Sequence, residues 1–326
     1  MRTRSRLGLT AFGCDEDERD LFRFYATAHD VDIHVVDEPV APENAHLAHM
    51  SSCISVSHKN FLSKVVLREL KRNGVELVTT RSIGTNHIDL SEASRLGIVV
   101  ENTFYLPDSV ADYAMMLILM ALRNAKDILE RAGSGDFSLV GSRAPDLSEM
   151  TVGVIGNGRI GQEVIKRLTA FGCRILVYRS ENMKDPAHLP FEELIKQCDI
   201  LTFHLPLTAQ TRYILNRDNI HKVKPGAYII NTGRGGLIET GALLEALKTN
   251  RISGAALDVI EGEEDIFYRK HSNMNIENEA FLQLSSMPNV IITPHTAYYT
   301  KQALIDTVKN TILKCLEYER SKRWIS

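Results

Sequence analysis

The stretch Val152-Gly153-Val154-Ile155-Gly156-Asn157-Gly158-Arg159-Ile160-Gly161 constrains this chain more than any other. A short apolar run with β-branched residues enters a glycine-rich turn, and the residues that follow, from Arg159 to Phe171, carry a helical pattern. Strand, turn and helix in that order open a βαβ unit. Gly156 permits the tight turn, Gly158 lets the backbone approach a pyrophosphate, and Gly161 lets the helix pack against the strand. The N-terminus of the helix, at Arg159 and Ile160, offers N–H groups that lack helical partners to a phosphate. The glycine pattern alone would mark an ordinary turn. Its place between a strand and a helix makes it a dinucleotide site.

The same alternation runs along the chain in two series. Strand-like runs at Leu7–Phe12, Ile33–Val36, Cys53–Val56, Val75–Thr79 and Ile98–Glu101 form the first, with a helical pattern at Phe61–Arg72. A helix rich in Ala, Leu and Met follows from the start signal Pro107-Asp108-Ser109 to Asn124, apolar on most sides and so expected to be buried. Gly133 to Asp146 reads as a loop. The second series places strands at Thr151–Gly156, Arg174–Tyr178, Asp199–His204, Ala227–Asn231, Gly254–Val259 and Val290–Thr293, with helices at Arg159–Phe171, Phe191–Gln197 and Glu239–Thr249. Crossovers of this kind require parallel pairing.

The expected fold is therefore α/β with two doubly wound parallel-sheet domains: a Rossmann-type cofactor domain of about six strands and a smaller flavodoxin-like substrate domain, with a cleft between them. A length of 326 residues suits two cores better than one. The cofactor domain is placed at 104–298. The substrate domain is placed at 1–103 and 299–326, because the amphipathic helix Lys301–Arg320 can return to pack on it.

A net charge of −3 provides no general attraction to nucleic acid or to an anionic membrane. Ala114 to Leu122, the longest wholly apolar run, falls far short of the roughly 20 residues of a membrane helix. The basic start at Arg2, Arg4 and Arg6 leads into an apolar stretch too short for a signal sequence, so a cytoplasmic location is expected. Cys14, Cys53, Cys173, Cys198 and Cys315 never form a Cys-x-x-Cys pair, and no His, Cys or carboxylate spacing points to a metal.

Chemistry gathers after the strands. Beyond Arg174–Tyr178, where a carboxylate would hold the ribose of NAD, stand Arg179 and Ser180, which suit a 2′-phosphate; NADP(H) is favoured, with NAD(H) as the alternative. Asn231-Thr232-Gly233-Arg234-Gly235 carries a guanidinium whose planar fork fits a carboxylate. Asp258 to Glu263 is an acidic strand end, and Thr293-Pro294-His295 places a histidine directly after a strand. Each alone has a bland reading as a solvated loop or a structural histidine. Together they fall where doubly wound sheets bind ligands, at the carboxyl ends of strands.

These residues resemble the D-2-hydroxyacid dehydrogenases. Further runs, Thr80-Arg81-Ser82-Ile83-Gly84 with Asn86-His87-Ile88-Asp89, Asp108 to Tyr113, Glu261 to Glu264 and Pro294 to Tyr299, are similar to the D-lactate dehydrogenases of vancomycin-resistance operons. The resemblance implies that Arg234 binds the substrate carboxylate and polarises the keto group, that His295 is the proton donor, and that Glu263 pairs with it. A carboxylate beside a histidine favours the imidazolium that a proton donor requires. It further implies carboxylate contacts from backbone N–H groups at Ile83 and Gly84, pocket walls at Tyr105 and Tyr298, and cofactor contacts at Arg159, Ile160, Pro206, Thr232, Gly233, Arg234 and Asp258. The implied partner is a small 2-keto or 2-hydroxy acid, pyruvate and D-lactate by the finer match, with a role in cell-wall precursor synthesis. A homodimer built around the cofactor domain is the family's usual assembly, and the apolar Asp108–Asn124 helix is expected to form part of its interface. Two alternatives stay open: a bulkier 2-keto acid, and a nucleotide-sensing protein of the corepressor kind.

Overall fold

The computed structural model describes residues 7–49, 51–139, 143–178, 188–268, 270–271 and 276–322. The chain separates into two compact units, Met1–Leu106 with Tyr299–Ser326, and Pro107–Tyr298.

In the first unit the strands are β1 (Leu7–Phe12), β2 (Val31–Val36), β3 (Cys53–Val56), β4 (Leu77–Thr80) and β5 (Val99–Asn102), ordered β2-β1-β3-β4-β5 with every described pair parallel. Helices α1 (Glu16–His29), α2 (Lys64–Arg72) and α3 (Leu90–Arg95) make the crossovers. α1 starts at a reciprocal cap in which Asp15 and Glu18 bond each other's backbone N–H groups. Neighbouring strand residues enter opposite cores: Ile54 and Val78 pack with Leu67 and Leu70 of α2, whereas Cys53 and Leu77 pack with Phe22 of α1. Burial on both faces explains why these strands are apolar runs rather than alternating ones.

The second unit begins with α4 (Asp108–Leu122) and α5 (Ala125–Gly133). Its strands are β6 (Thr151–Ile155), β7 (Arg174–Tyr178), β8 (His188–Leu189), β9 (Ile200–Phe203), β10 (Ala227–Asn231), β11 (Ile252–Leu257) and β12 (Val290–Ile292), in the order β12-β11-β10-β9-β6-β7-β8, again parallel. The strand order reverses between β6 and β9, the switch point where such sheets leave a crevice for a ligand. α6 (Arg159–Ala170) joins α4 on one face, against Val152, Val154, Ile230 and Ala256. α7 (Phe191–Gln197), α8 (Thr240–Lys248) and α9 (Glu279–Ser286) cover the other, against Leu201, Ile229 and Ala255. The chain then returns to the first unit, where Val308, Ile312 and Cys315 of α10 (Lys301–Lys322) share a core with Leu9 and Phe22.

Two elements depart from the sequence expectation. The described sheet of the second unit has seven strands rather than about six, because β8 is a two-residue edge strand too short to show a period. Helix α5, between the expected helix and the expected loop, has no counterpart in the sequence expectation: Asn124 adopts φ 50, a left-handed conformation that ends α4 and lets a new helix start at once. Among the described residues no helix is long and apolar enough to cross a membrane, and no group of His, Cys, Asp and Glu could hold a metal ion.

Candidate active site

The glycine turn is built by close packing. Gly156 has φ +112, and a Cβ there would lie 2.9 Å from the carbonyl of His204, the residue that follows β9. A Cβ on Gly161 would come within 1.9 Å of the Gly156 carbonyl oxygen, so α6 can seat on β6 only through glycine. Gly158, by contrast, has nothing within 4 Å of where its Cβ would stand, and it caps α6 in an extended conformation. Open backbone at a helix N-terminus fits the pyrophosphate of a dinucleotide. Arg159 is exposed and Ile160 half-buried on the first turn of that helix.

His204 closes the other side of the turn. Its N–H donates to the Ile155 carbonyl at 2.8 Å, its Nε2 lies 2.9 Å from Thr202 Oγ1, and its Nδ1 lies 3.4 Å from Thr232 Oγ1. Desolvation pushes its pKa down to about 3, so the imidazole is neutral. Thr232 is buried after β10, while Pro206 is exposed and accepts a bond from Thr211 Oγ1 at 2.6 Å through its carbonyl. Asn157 places its Nδ2 3.3 Å from Nε2 of His188 on β8. Arg179 and Ser180, on which the choice between NADP(H) and NAD(H) was read, lie outside the described residues.

Arg234 is aimed by the residue that ends β10. The buried Asn231 accepts the Gly233 N–H at 3.0 Å through Oδ1 and donates from Nδ2 to the Arg234 carbonyl at 2.9 Å, fixing the turn between them. Arg234 Nη1 donates to the Gly233 carbonyl at 2.7 Å. Immediately after it, a Cβ on Gly235 would fall 2.2 Å from the carbonyl carbon of Ile260. The absence of that side chain lets the loop after β10 meet the loop after β11, which carries Glu263.

That second loop holds the histidine. Glu263 Oε1 lies 2.6 Å from His295 Nδ1, and its Oε2 accepts the Ile260 N–H at 2.7 Å, so both oxygens are engaged. The two side chains are 14% and 19% exposed, enough shelter to strengthen the pair over one in water. His295 adopts φ +52, and its N–H points to the carbonyls of Asp258 and Thr293, both at 2.9 Å. Asp258 is fully buried, and its carboxylate organises the turn carrying His295: it accepts from Thr293 Oγ1 at 2.6 Å and from the N–H groups of Thr296 and Ala297 at 2.9 Å. Tyr113 of α4 braces the same turn, with its hydroxyl 3.0 Å from Thr296 Oγ1.

Tyr298 meets the His295 ring edge-on at 6.1 Å between centroids. In the first unit, Ile83 and Gly84 follow β4 half-buried. Their carbonyls accept from Asn102 Nδ2 and Ser82 Oγ, each at 2.7 Å, while Tyr105 is half-buried beyond β5. The second unit thus joins His295 directly to Glu263 and sets Arg234 beside the Gly235–Ile260 contact. Sequence reasoning passed over Asn231 and Tyr268. An asparagine two residues before a glycine could have been read as a turn-former; Tyr268, whose hydroxyl donates to the His295 carbonyl at 3.2 Å, has no such signal.

The profile of the family described as "D-isomer specific 2-hydroxyacid dehydrogenase, NAD binding domain" matches residues 115–297. A "D-specific alpha-keto acid dehydrogenase" of Enterococcus faecium is 49% identical over 316 residues, which cover 97% of this chain and 98% of that protein. An "Aromatic 2-oxoacid reductase" of Clostridium sporogenes is 33% identical, over 95% of this chain and 96% of its own. Among solved structures, the pyruvate reductase of Chlamydomonas reinhardtii superposes with a TM-score of 0.85 at 30% identity, covering 96% of each chain.

Proposed function

The chain belongs to the D-isomer specific 2-hydroxyacid dehydrogenases, and from that premise we propose that it reduces pyruvate to D-lactate with NADPH. The observation that carries the proton chemistry is the 2.6 Å contact between His295 Nδ1 and Glu263 Oε1. With Nδ1 engaged by the glutamate, Nε2 is the atom that exchanges a proton with the substrate oxygen in this reading. Arg234 binds the carboxylate and polarises the keto group, and the buried carboxylate of Asp258 keeps the histidine turn in place. Tyr298 walls the substrate; Ile83 and Gly84 bind the carboxylate through backbone N–H groups, and Tyr105 lines the pocket.

The dinucleotide would be held by Gly156, Gly158 and Gly161, by Arg159 and Ile160 on α6, and by Pro206, Thr232 and Gly233, with Arg179 and Ser180 reading the 2′-phosphate. When bound, its nicotinamide supplies the hydride that the keto carbon receives. In the reverse direction neutral His295 accepts the alcohol proton. The proposal includes a cytoplasmic homodimer and a role in supplying D-lactate to a cell-wall precursor that glycopeptides bind poorly; the likeness to the Enterococcus faecium protein supports that role by analogy. Its likeness to the aromatic 2-oxoacid reductase supports a second reading, a preference for a bulkier 2-keto acid.

One set of assays separates these readings. Oxidation of NADPH and of NADH is followed by absorbance with pyruvate, a branched 2-keto acid and an aromatic 2-keto acid. The proposal expects the highest kcat/KM with pyruvate and NADPH. A higher value with either larger acid establishes the second reading, and no turnover with any acid defeats both.

A further inference from the structure

The stretch after β11 holds His295 in more than one place. Ile266 and Phe267 both donate their N–H groups to the Glu263 carbonyl, at 2.9 and 2.7 Å. Phe267 is buried and packs edge-on against Phe281 at 6.2 Å, and the His271 ring bonds the Ile266 carbonyl at 2.7 Å. With Phe267 anchored in the core, the next residue is turned the other way. Tyr268 takes φ +63, a left-handed conformation rare for a bulky side chain. From there its hydroxyl donates to the His295 carbonyl at 3.2 Å, and its ring stands 6.2 Å from the imidazole, tilted by 36°. The Tyr298 ring meets the imidazole edge-on from another side.

His295 is itself left-handed, a conformation a non-glycine residue keeps only where its surroundings over-determine it. Glu263 holds Nδ1 and the Asp258 carbonyl accepts the N–H, and neither contact reaches the His295 backbone carbonyl. We propose that Tyr268 is a positioning residue for the reaction: its phenol fixes the His295 carbonyl while Glu263 fixes Nδ1, so that Nε2 is presented to the substrate in a single orientation. Partial desolvation of the phenol, together with the neighbouring Tyr298 and Glu263, raises the Tyr268 pKa above the usual range, which keeps its hydroxyl protonated and a donor. The inference rests on His295 being the proton donor.

Tyr268→Phe removes one oxygen and leaves the packing. The expected result is a kcat about tenfold lower, the loss of one neutral hydrogen bond, with KM values for keto acid and cofactor within about twofold. The solvent deuterium isotope effect on kcat should rise, because a less well aimed imidazole makes proton transfer more limiting. Tyr268→Asn, which tolerates the left-handed backbone but cannot reach the carbonyl, should show the same isotope effect. A purely structural tyrosine would lower the thermal midpoint and raise KM without moving that effect. Wild-type kcat and an unchanged isotope effect in Tyr268→Phe overturn the proposal. Should the wild-type chain reduce no keto acid, the imidazole NMR signals of His295 decide separately. One sharp set is expected in the wild type and broadened or doubled signals in Tyr268→Phe, and identical spectra would count against positioning whatever the reaction is.

Discussion

At the scale of single residues, the site depends on keeping His295 in one tautomer and one place. Glu263 takes Nδ1, Asp258 and Thr293 take the N–H, and Asp258 holds the turn on either side. His295→Gln keeps a hydrogen-bonding side chain of similar reach but cannot carry the proton. Its kcat for keto-acid reduction should fall about 10²- to 10⁴-fold. Cofactor affinity, followed by quenching of protein fluorescence, should stay at the wild-type value, and turnover comparable to wild type would remove His295 from the chemistry. Arg234 and His295 could be singled out in the sequence because each is a charged or titratable group soon after an apolar strand, and Glu263 through the family resemblance. Tyr268 and the burial of Asp258 could not. Both depend on where the chain turns after the strand has ended, and the left-handed φ of Tyr268 and His295 leaves no mark in residue type.

At the scale of elements, the glycines separate packing from ligand approach. Gly235 and Gly158 both lie in turns at the candidate site, yet a Cβ on the first meets the Ile260 carbonyl carbon at 2.2 Å and a Cβ on the second meets nothing within 4 Å. Gly235→Ala must push the Glu263 loop away from Arg234. It should cost about 1–3 kcal/mol of stability and lower kcat at the same time. Gly158→Ala should leave stability within about 0.5 kcal/mol and instead raise the KM for the dinucleotide, because the methyl group intrudes where the pyrophosphate would lie. Chemical denaturation and steady-state kinetics of the two variants check the contrast, and equal stability losses would refute it. The strands were readable for a related reason. Parallel strands buried on both faces are continuous apolar runs, so Cys53–Val56, Arg174–Tyr178 and Ala227–Asn231 could be bounded from composition. Edge strand β8 and helix α5 lack that signal, since neither buries a full face.

At the scale of the whole molecule, apolar surface is exposed on α5 as well as on α4, the helix expected at an interface. α4, expected to contribute to a dimer, buries Ala111, Ala114, Leu117, Ile118 and Leu122 in the core beneath it and leaves Met116 38% exposed. Its composition reflects a central position within its own unit. Further exposed apolar groups follow it: α5 buries none of its residues and presents Ile128 and Leu129 at 49% and 65% exposure, and Phe137 nearby is 81% exposed. Lys126 ties α5 down by donating to the carbonyls of Ser285, Met287 and Val290 at 2.8 to 3.0 Å, so the helix offers this surface from a fixed base. Large exposed hydrophobic side chains grouped in sequence on a fixed helix are the kind of surface that a second copy can cover isologously. The proposed homodimer should therefore dissociate when Ile128→Glu and Leu129→Glu are combined, because both changes bury charge in a symmetric interface without touching either core. Light scattering at matched concentrations should give the mass of one chain for the double variant and of two for the wild type. Far-ultraviolet circular dichroism should be unchanged, and a double variant that remains dimeric would move the interface elsewhere.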